Sequence, residues 1–272
     1  MTCGNNTPDR LLCPDGTSPS RTVVGSVVVA ESKSVVMGAA QALDLTVDGH
    51  VHTGFAAGRD SVGVLVSAGD RAGLTAVTFA DQVGPETTWL AAYADAVRRA
   101  RRRTELDLRV AAEIEVVRQD GWLALPADLG HLDAVSVAVS GLPLAAGPLG
   151  PRDVRSLLAV GDLTAAQVAE IVVTATINGL ERASRYAPTQ LARPLSLLSQ
   201  AGVDETALPP DSLAALAAAC RATGTTVEIS EAWRSPSPAI VAALREADVS
   251  LVAASDARYA AEVGHWQYLR RV

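Results

Sequence analysis

Residues 45–82 read LTVDGHVHTGFAAGRDSVGVLVSAGDRAGLTAVTFADQ. In LTVDGHVHT (45–53), β-type and polar residues alternate, which is the pattern of a strand. SVGVLVSAGDRAG (61–73) carries apolar residues at helical spacing, and Gly73 supplies the left-handed residue that ends a helix. LTAVTFADQ (74–82) is the next strand. Strand, helix and strand so closely spaced make one parallel β-α-β unit.

The rhythm repeats to the end of the chain. ETTWLAAYADAVRRARRR reads as a helix, LDLRVAAEIEV and LDAVSVAVSG as strands, and DLTAAQVAEIVVTATINGLERAS as a helix capped by Asp162 or Thr164. RPLSLLSQ, DSLAALAAACRATG, TTVEIS, SPAIVAALREA and DVSLVAASDA continue it. So many alternations predict an α/β protein with a parallel sheet closed into a barrel, with an open doubly wound sheet as the alternative. Residues 1–44 break the pattern. The first twenty or so are polar, Pro- and Gly-rich and aperiodic, as in a disordered tail, and 22–45 is ambiguous between strand and helix. The division expected is an extension over 1–44, partly disordered, and a barrel over 45–272.

A net charge of −7 disfavours nucleic acid and anionic membrane as partners and leaves a small molecule. Every long apolar run is broken by charge, Gly or Pro, so no membrane span is expected. Cys3, Cys13 and Cys220 form no close pair, and the N-terminus does not read as an export signal, so no export and a reducing cytoplasm are expected. The basic cluster Arg98, Arg99, Arg101, Arg102 and Arg103 closes a helix, where it complements the helix dipole. Cys220 sits in an Ala-rich helix, a core position.

In a parallel barrel the reactive side chains stand at the C-terminal ends of the strands. Those ends carry His50 and His52, Asp81 and Gln82, Glu113 and Glu115, Ser140, Ser199, Glu228 and Glu231, then Ser255, Asp256 and Arg258. Residues two apart in a strand point the same way, so His50 and His52 can reach one ion. Two ordinary half-buried histidines would have the same spacing. Glu113 and Asp256 on two other strands favour a site for Zn, Mn or Fe.

DGHVHT, AGLTAVTFADQ, AAEIEV, LDAVSVAVSG and LVAASDAR, in that order, resemble the motifs of the polymerase and histidinol phosphatase (PHP) family, especially its histidinol-phosphatase-like branch. The resemblance spans about residues 45–270 and implies a distorted TIM-like (β/α)7 barrel binding up to three metal ions for phosphoester hydrolysis. By that resemblance one ion takes His50, His52, Glu113 and Asp256. The second shares Glu113 and takes two further histidines, where this chain has Ser140 and Ser199. The third falls on Arg59, Gln82 and Arg258. The whole chain has four histidines, and His131 and His265 lie outside these positions, so one divalent ion is expected rather than three.

Arg59 and Arg258 then either hold the anionic group of a small substrate or pair with Asp60, Asp81 or Asp256. Trp233 and Arg234 are candidates to line the substrate pocket. Gln82 is a candidate donor to substrate, Asp81 an acceptor that orients a histidine, and Glu115 either a general base or a rim carboxylate. The implied activity is a mononuclear metal-dependent hydrolase, or a metal-assisted lyase or cyclase, on a small anionic metabolite. The Ala, Arg and Val bias suggests specialised metabolism in a GC-rich bacterium. The alternatives are a catalytically retired barrel that serves as a binding or regulatory module, and a histidinol-phosphatase-like phosphoesterase.

Overall fold

The computed structural model describes residues 42–272. Cys3, Cys13 and nearly all of the extension expected over 1–44 lie outside the described residues. In chain order the elements are β1 Val47–Val51, α1 Val62–Ala72, β2 Ala76–Val83, α2 Leu90–Arg101, β3 Asp107–Glu115 and β4 Ala134–Ala138. A small hairpin follows, β5 Leu142–Leu144 and β6 Gly147–Leu149, then α3 Pro151–Val160 and α4 Ala165–Ala183. The chain continues with β7 Thr189–Leu191, α5 Ser196–Ala201, α6 Pro210–Thr223, β8 Thr226–Ser230, α7 Pro238–Glu246 and β9 Leu251–Ala254.

Seven strands form one sheet in the order β1-β2-β3-β4-β7-β8-β9, and each adjacent pair is parallel. A doubly wound sheet reverses its strand order at a switch point. Here the order only advances, and the sheet curls until its ends meet. The Asp256 N–H donates to His50 O and the His52 N–H to Ala257 O, both at 2.9 Å. The fold is a nearly closed, TIM-like (β/α)7 barrel with flanking helices.

The side chain of Asp48 reinforces this closure. It is fully buried, and its carboxylate accepts the Ser255 N–H at 2.9 Å and the Gly264 N–H at 3.2 Å. Burial lifts its pKa to about 6 against the pull of those bonds. Gly49 lets the strands come together, since a Cβ there would stand 2.9 Å from Val252 Cγ2 on β9.

Helix termini follow local rules. α1 buries Val62, Leu65, Val66 and Gly69, one helical stripe, and ends at Gly73 with φ 73°. α4 opens with a capping box in which Thr164 Oγ1 accepts the Gln167 N–H while Gln167 Oε1 accepts the Thr164 N–H. Buried apolar side chains form two clusters, one around Leu65, Phe79, Tyr93 and Leu108, the other around Val137, Leu180, Leu191, Leu216 and the buried Cys220. No helix among the described residues is long and apolar enough to cross a membrane.

The sequence rhythm misplaces one element. RPLSLLSQ is not a strand: β7 ends at Leu191 and α5 begins at Ser196. A short apolar run carries no distinguishing period, and Leu195 at φ 62° turns the chain into the helix. Ser199 is therefore exposed on α5, with its hydroxyl on Ser196 O.

Candidate metal centre

β1 carries His50, and His52 stands just past its end, with ring centroids 4.8 Å apart and both residues fully buried. β3 brings Glu113 beside them, next to Gln82 of β2 in the parallel register. One ligand-type atom from each of His50, His52 and Glu113 lies within 4.8 Å of the other two. His50 Nε2 and Glu113 Oε2 are 3.3 Å apart, and His52 Nε2 and Asp256 Oδ1 are 3.0 Å apart. Zinc–ligand bonds of 2.0 to 2.1 Å separate two donors of one ion by about 3.0 to 3.4 Å, so both contacts have the spacing of shared ligands.

Among the described residues, His50 Nε2, His52 Nδ1 and Glu113 Oε2 are buried side-chain atoms with no hydrogen-bond partner. Folding leaves few buried polar atoms unpaired, and each such atom has a cost of about 1 to 3 kcal/mol. His50 Nε2 and Glu113 Oε2, facing each other at 3.3 Å, fit two ligands of a divalent cation, while His52 Nδ1 lies toward Asp81.

The partners of these residues orient them. His50 Nδ1 meets Glu228 Oε1 at 2.8 Å, which leaves Nε2 to face Glu113. Burial opposes a charge on His50, but Glu228, with Asp256 and Glu113, outweighs it and raises the imidazole to about 10. Gln190 Nε2 donates to Glu228 Oε1 and, at 2.8 Å, to Gly49 O, tying β7 and β8 to β1. Asp256 is itself in the left-handed region at φ 54°. Burial opposes its ionisation, yet bonding to His52 and the charges of His50, His52 and Arg193 hold its pKa far below the usual carboxylate range. Trp233 Nε1 donates to Asp256 Oδ2 at 2.5 Å. Gly58 lets the loop after β1 fold back over the site, because a Cβ there would be 2.5 Å from His52 O.

Other expected site residues have different surroundings. Asp81 is buried and accepts both the Thr53 N–H, at 2.8 Å, and the Thr53 hydroxyl, with its Oδ1 3.7 Å from His52 Nδ1. Gln82, expected to face substrate, donates its amide to Glu113 Oε1 at 3.1 Å. Glu115, read as either a general base or a rim carboxylate, has both oxygens engaged: they accept the Ser140 N–H and, at 2.9 Å, the Ser140 hydroxyl.

The two arginines expected over the site sit on exposed or half-buried loops. The Arg59 N–H donates to Arg258 O at 2.9 Å, joining the loops after β1 and β9. The guanidinium of Arg59 lies over the Tyr259 ring, 5.4 Å from its centroid, and lines a cavity of about 710 Å³ between α1 and α2. The expected carboxylate partners are otherwise engaged: Asp60 accepts Ala260 N–H, Asp81 holds Thr53, and Asp256 holds His52 and Trp233. Arg234 is exposed, whereas Trp233 is half-buried against the site. His131 and His265 lie outside the cluster, beside Asp128 and Gln267 respectively.

Sequence reasoning missed Arg193, which follows β7, is 4% exposed and donates through Nη2 to Glu113 Oε1. It also missed Glu228 as the partner of His50. The signal was present in QLARPLSLL, where one charge sits inside an apolar run, the mark of a buried and paired side chain.

The chain has the fold of a protein assigned as a histidinol phosphatase from Listeria monocytogenes. The two superpose with a TM-score of 0.56 over 80% of this chain and 97% of that one, at 12% identity. Weaker likenesses, with TM-scores of 0.37 and 0.36, reach an HpcH/HpaI aldolase from Desulfitobacterium hafniense (12% identity, 79% and 86% covered) and a dihydropyrimidinase from Brevibacillus agri (13% identity, 69% and 46% covered). No family model matches the sequence, and no curated protein matches it. Fold and site together therefore define a TIM-like (β/α)7 barrel that carries a buried His-His-Glu cluster able to hold a metal ion.

Proposed function

We propose that the protein is a metal-dependent enzyme in which His50, His52, Glu113 and Asp256 hold one divalent ion, Zn, Mn or Fe, and that it acts on a small anionic metabolite. The observation that carries this reading is the buried meeting of one ligand-type atom each from His50, His52 and Glu113 within 4.8 Å of one another, with His50 Nε2 and Glu113 Oε2 facing each other unpartnered. A bound ion of this kind supplies Lewis acidity and lowers the pKa of water, the chemistry of a hydrolase or of a metal-assisted lyase or cyclase.

The chain's own residues do the rest. Glu228 keeps the His50 ring oriented through Nδ1, and Trp233, donating to Asp256 Oδ2, holds the Asp256 carboxylate beside His52 Nε2. Trp233 presents an apolar surface to the organic part of the substrate. In this reading the anionic group of the substrate is held by Arg59 and Arg258, whose main chains meet on the loops after β1 and β9, with Arg234. The negative charge of the whole chain suits a small partner rather than nucleic acid or an anionic membrane surface.

The test is metal content by elemental mass spectrometry on protein purified without an affinity metal column, beside a His50→Ala/His52→Ala variant. The expected result is about one ion per chain, lost in the variant. Two or three ions in the unaltered protein would replace this reading with a phosphoesterase of the multi-metal type. No ion after reconstitution with Zn, Mn or Fe would leave a non-catalytic binding module.

A further inference from the structure

Arg193 is a buried cation of the protein that the metal reading leaves unexplained. Its Nη2 donates to Glu113 Oε1 and, at 2.7 Å, to Ser140 Oγ, and its guanidinium lies 5.4 Å from the centroid of the Trp233 ring. Its backbone stands at φ 36°, in a region few residues other than glycine adopt, and its N–H donates to Glu228 Oε2 at 3.2 Å. Strain of that kind persists only where the surroundings over-determine it. Both the main chain and the side chain of Arg193 are thus held on carboxylates of the site.

The two oxygens of Glu113 are divided. Oε2 faces His50 and has no hydrogen-bond partner, whereas Oε1 receives Arg193 and Gln82. A carboxylate that bridges two metal ions gives one oxygen to each. Here the second oxygen is given to a guanidinium, which does not lose its proton and cannot be displaced by deprotonation as an imidazolium can. A second dication would meet a fixed positive charge in direct contact with its ligand.

We infer that Arg193 is the protein's built-in substitute for a second metal ion, limiting the centre to one ion through its hold on Glu113 Oε1 and Ser140 Oγ. The inference rests on the metal reading of His50, His52, Glu113 and Asp256, and it assigns Arg193 as a positioning residue for that centre.

The experiment compares the metal-stripped full chain with Arg193→Lys, Arg193→Gln and Arg193→His, titrated with Mn(II). Bound metal is counted after equilibrium dialysis, and electron paramagnetic resonance distinguishes isolated from spin-coupled Mn(II). The unaltered protein and Arg193→Lys are expected to bind one uncoupled ion per chain. Arg193→His, which exchanges the cation for a ligand, is expected to bind two coupled ions. Arg193→Gln is expected to bind its first ion at least tenfold more tightly, because the repelling charge is gone, and it carries the test if Arg193→His fails to fold by circular dichroism. One ion at unchanged affinity in the folded Gln and His variants overturns the inference, as do two ions in the unaltered protein. Absence of any ion in the unaltered protein is a different failure, that of the metal reading itself.

Discussion

The two sides of Glu113 satisfy the same carboxylate in opposite ways. Toward β1, its Oε2 stands 3.3 Å from His50 Nε2, and neither atom has a hydrogen-bond partner. Its Oε1 takes hydrogen bonds from Gln82 of β2 and from Arg193 at the end of β7, and toward β4 Ser140 is in turn clamped by Arg193 and Glu115. One side is a set of ligand atoms arranged for a cation; the other already contains one. A buried acidic cluster can thus be neutralised either by an ion from solution or by a side chain. The first choice can be removed with a chelator, while the second is permanent.

Glu113→Gln breaks both sides at once and should have the largest effect. Metal affinity is expected to fall by two orders of magnitude or more, read by equilibrium dialysis. Stability in urea should fall by about 3 to 5 kcal/mol, because Arg193 is left buried without its partner. Glu228→Gln acts on the β1 side through the orientation of His50, and on the other side reaches only the main-chain N–H of Arg193. Loss of such a supporting partner typically costs 10- to 100-fold in metal affinity, so a fall in that range is expected by the same titration, with the ion count unchanged.

Gly58→Ala tests the loop that covers His52. A Cβ at 2.5 Å from a main-chain oxygen forces the loop to shift, and a loss of about 1 to 3 kcal/mol in urea unfolding is expected. The smallest effect serves as the control. Thr164→Ala removes one half of the α4 capping box and should cost about 1 kcal/mol, seen as a fall of about 2 to 4 °C in Tm for a domain this size. Metal affinity should not move, since no residue of α4 belongs to the cluster.

Much of the β1 side was legible because its information is local. DGHVHT sets two imidazoles on one face of a strand by alternation alone, and Glu113 and Asp256 close two further strands at the expected places. The β4 and β7 side was not legible. β7 is three residues long, too short for alternation to show, so the rhythm ran on into RPLSLLSQ and pointed to Ser199, which lies on α5. Arg193, two residues beyond β7, reaches the site instead. The partners of Gln82 and Glu115 were not legible for a related reason: residue type shows that a side chain can donate or accept, but not that Glu113 and Ser140 engage it.

The sequence by itself determined the alternating α/β plan, the two histidines on β1, and the shortage of imidazole that argues against a three-ion centre. These follow from periodicity, spacing and composition, which act over a few residues or over the whole inventory. Only the tertiary structure decided that the sheet closes, that Asp48 staples the closure instead of joining the cluster, and that Arg193 rather than Ser199 meets Glu113. Those outcomes depend on contacts between residues up to two hundred positions apart, such as Asp48 with Ser255 and Glu113 with Arg193. Contacts of that kind are set by strand order and by where the chain turns, and no local pattern encodes them.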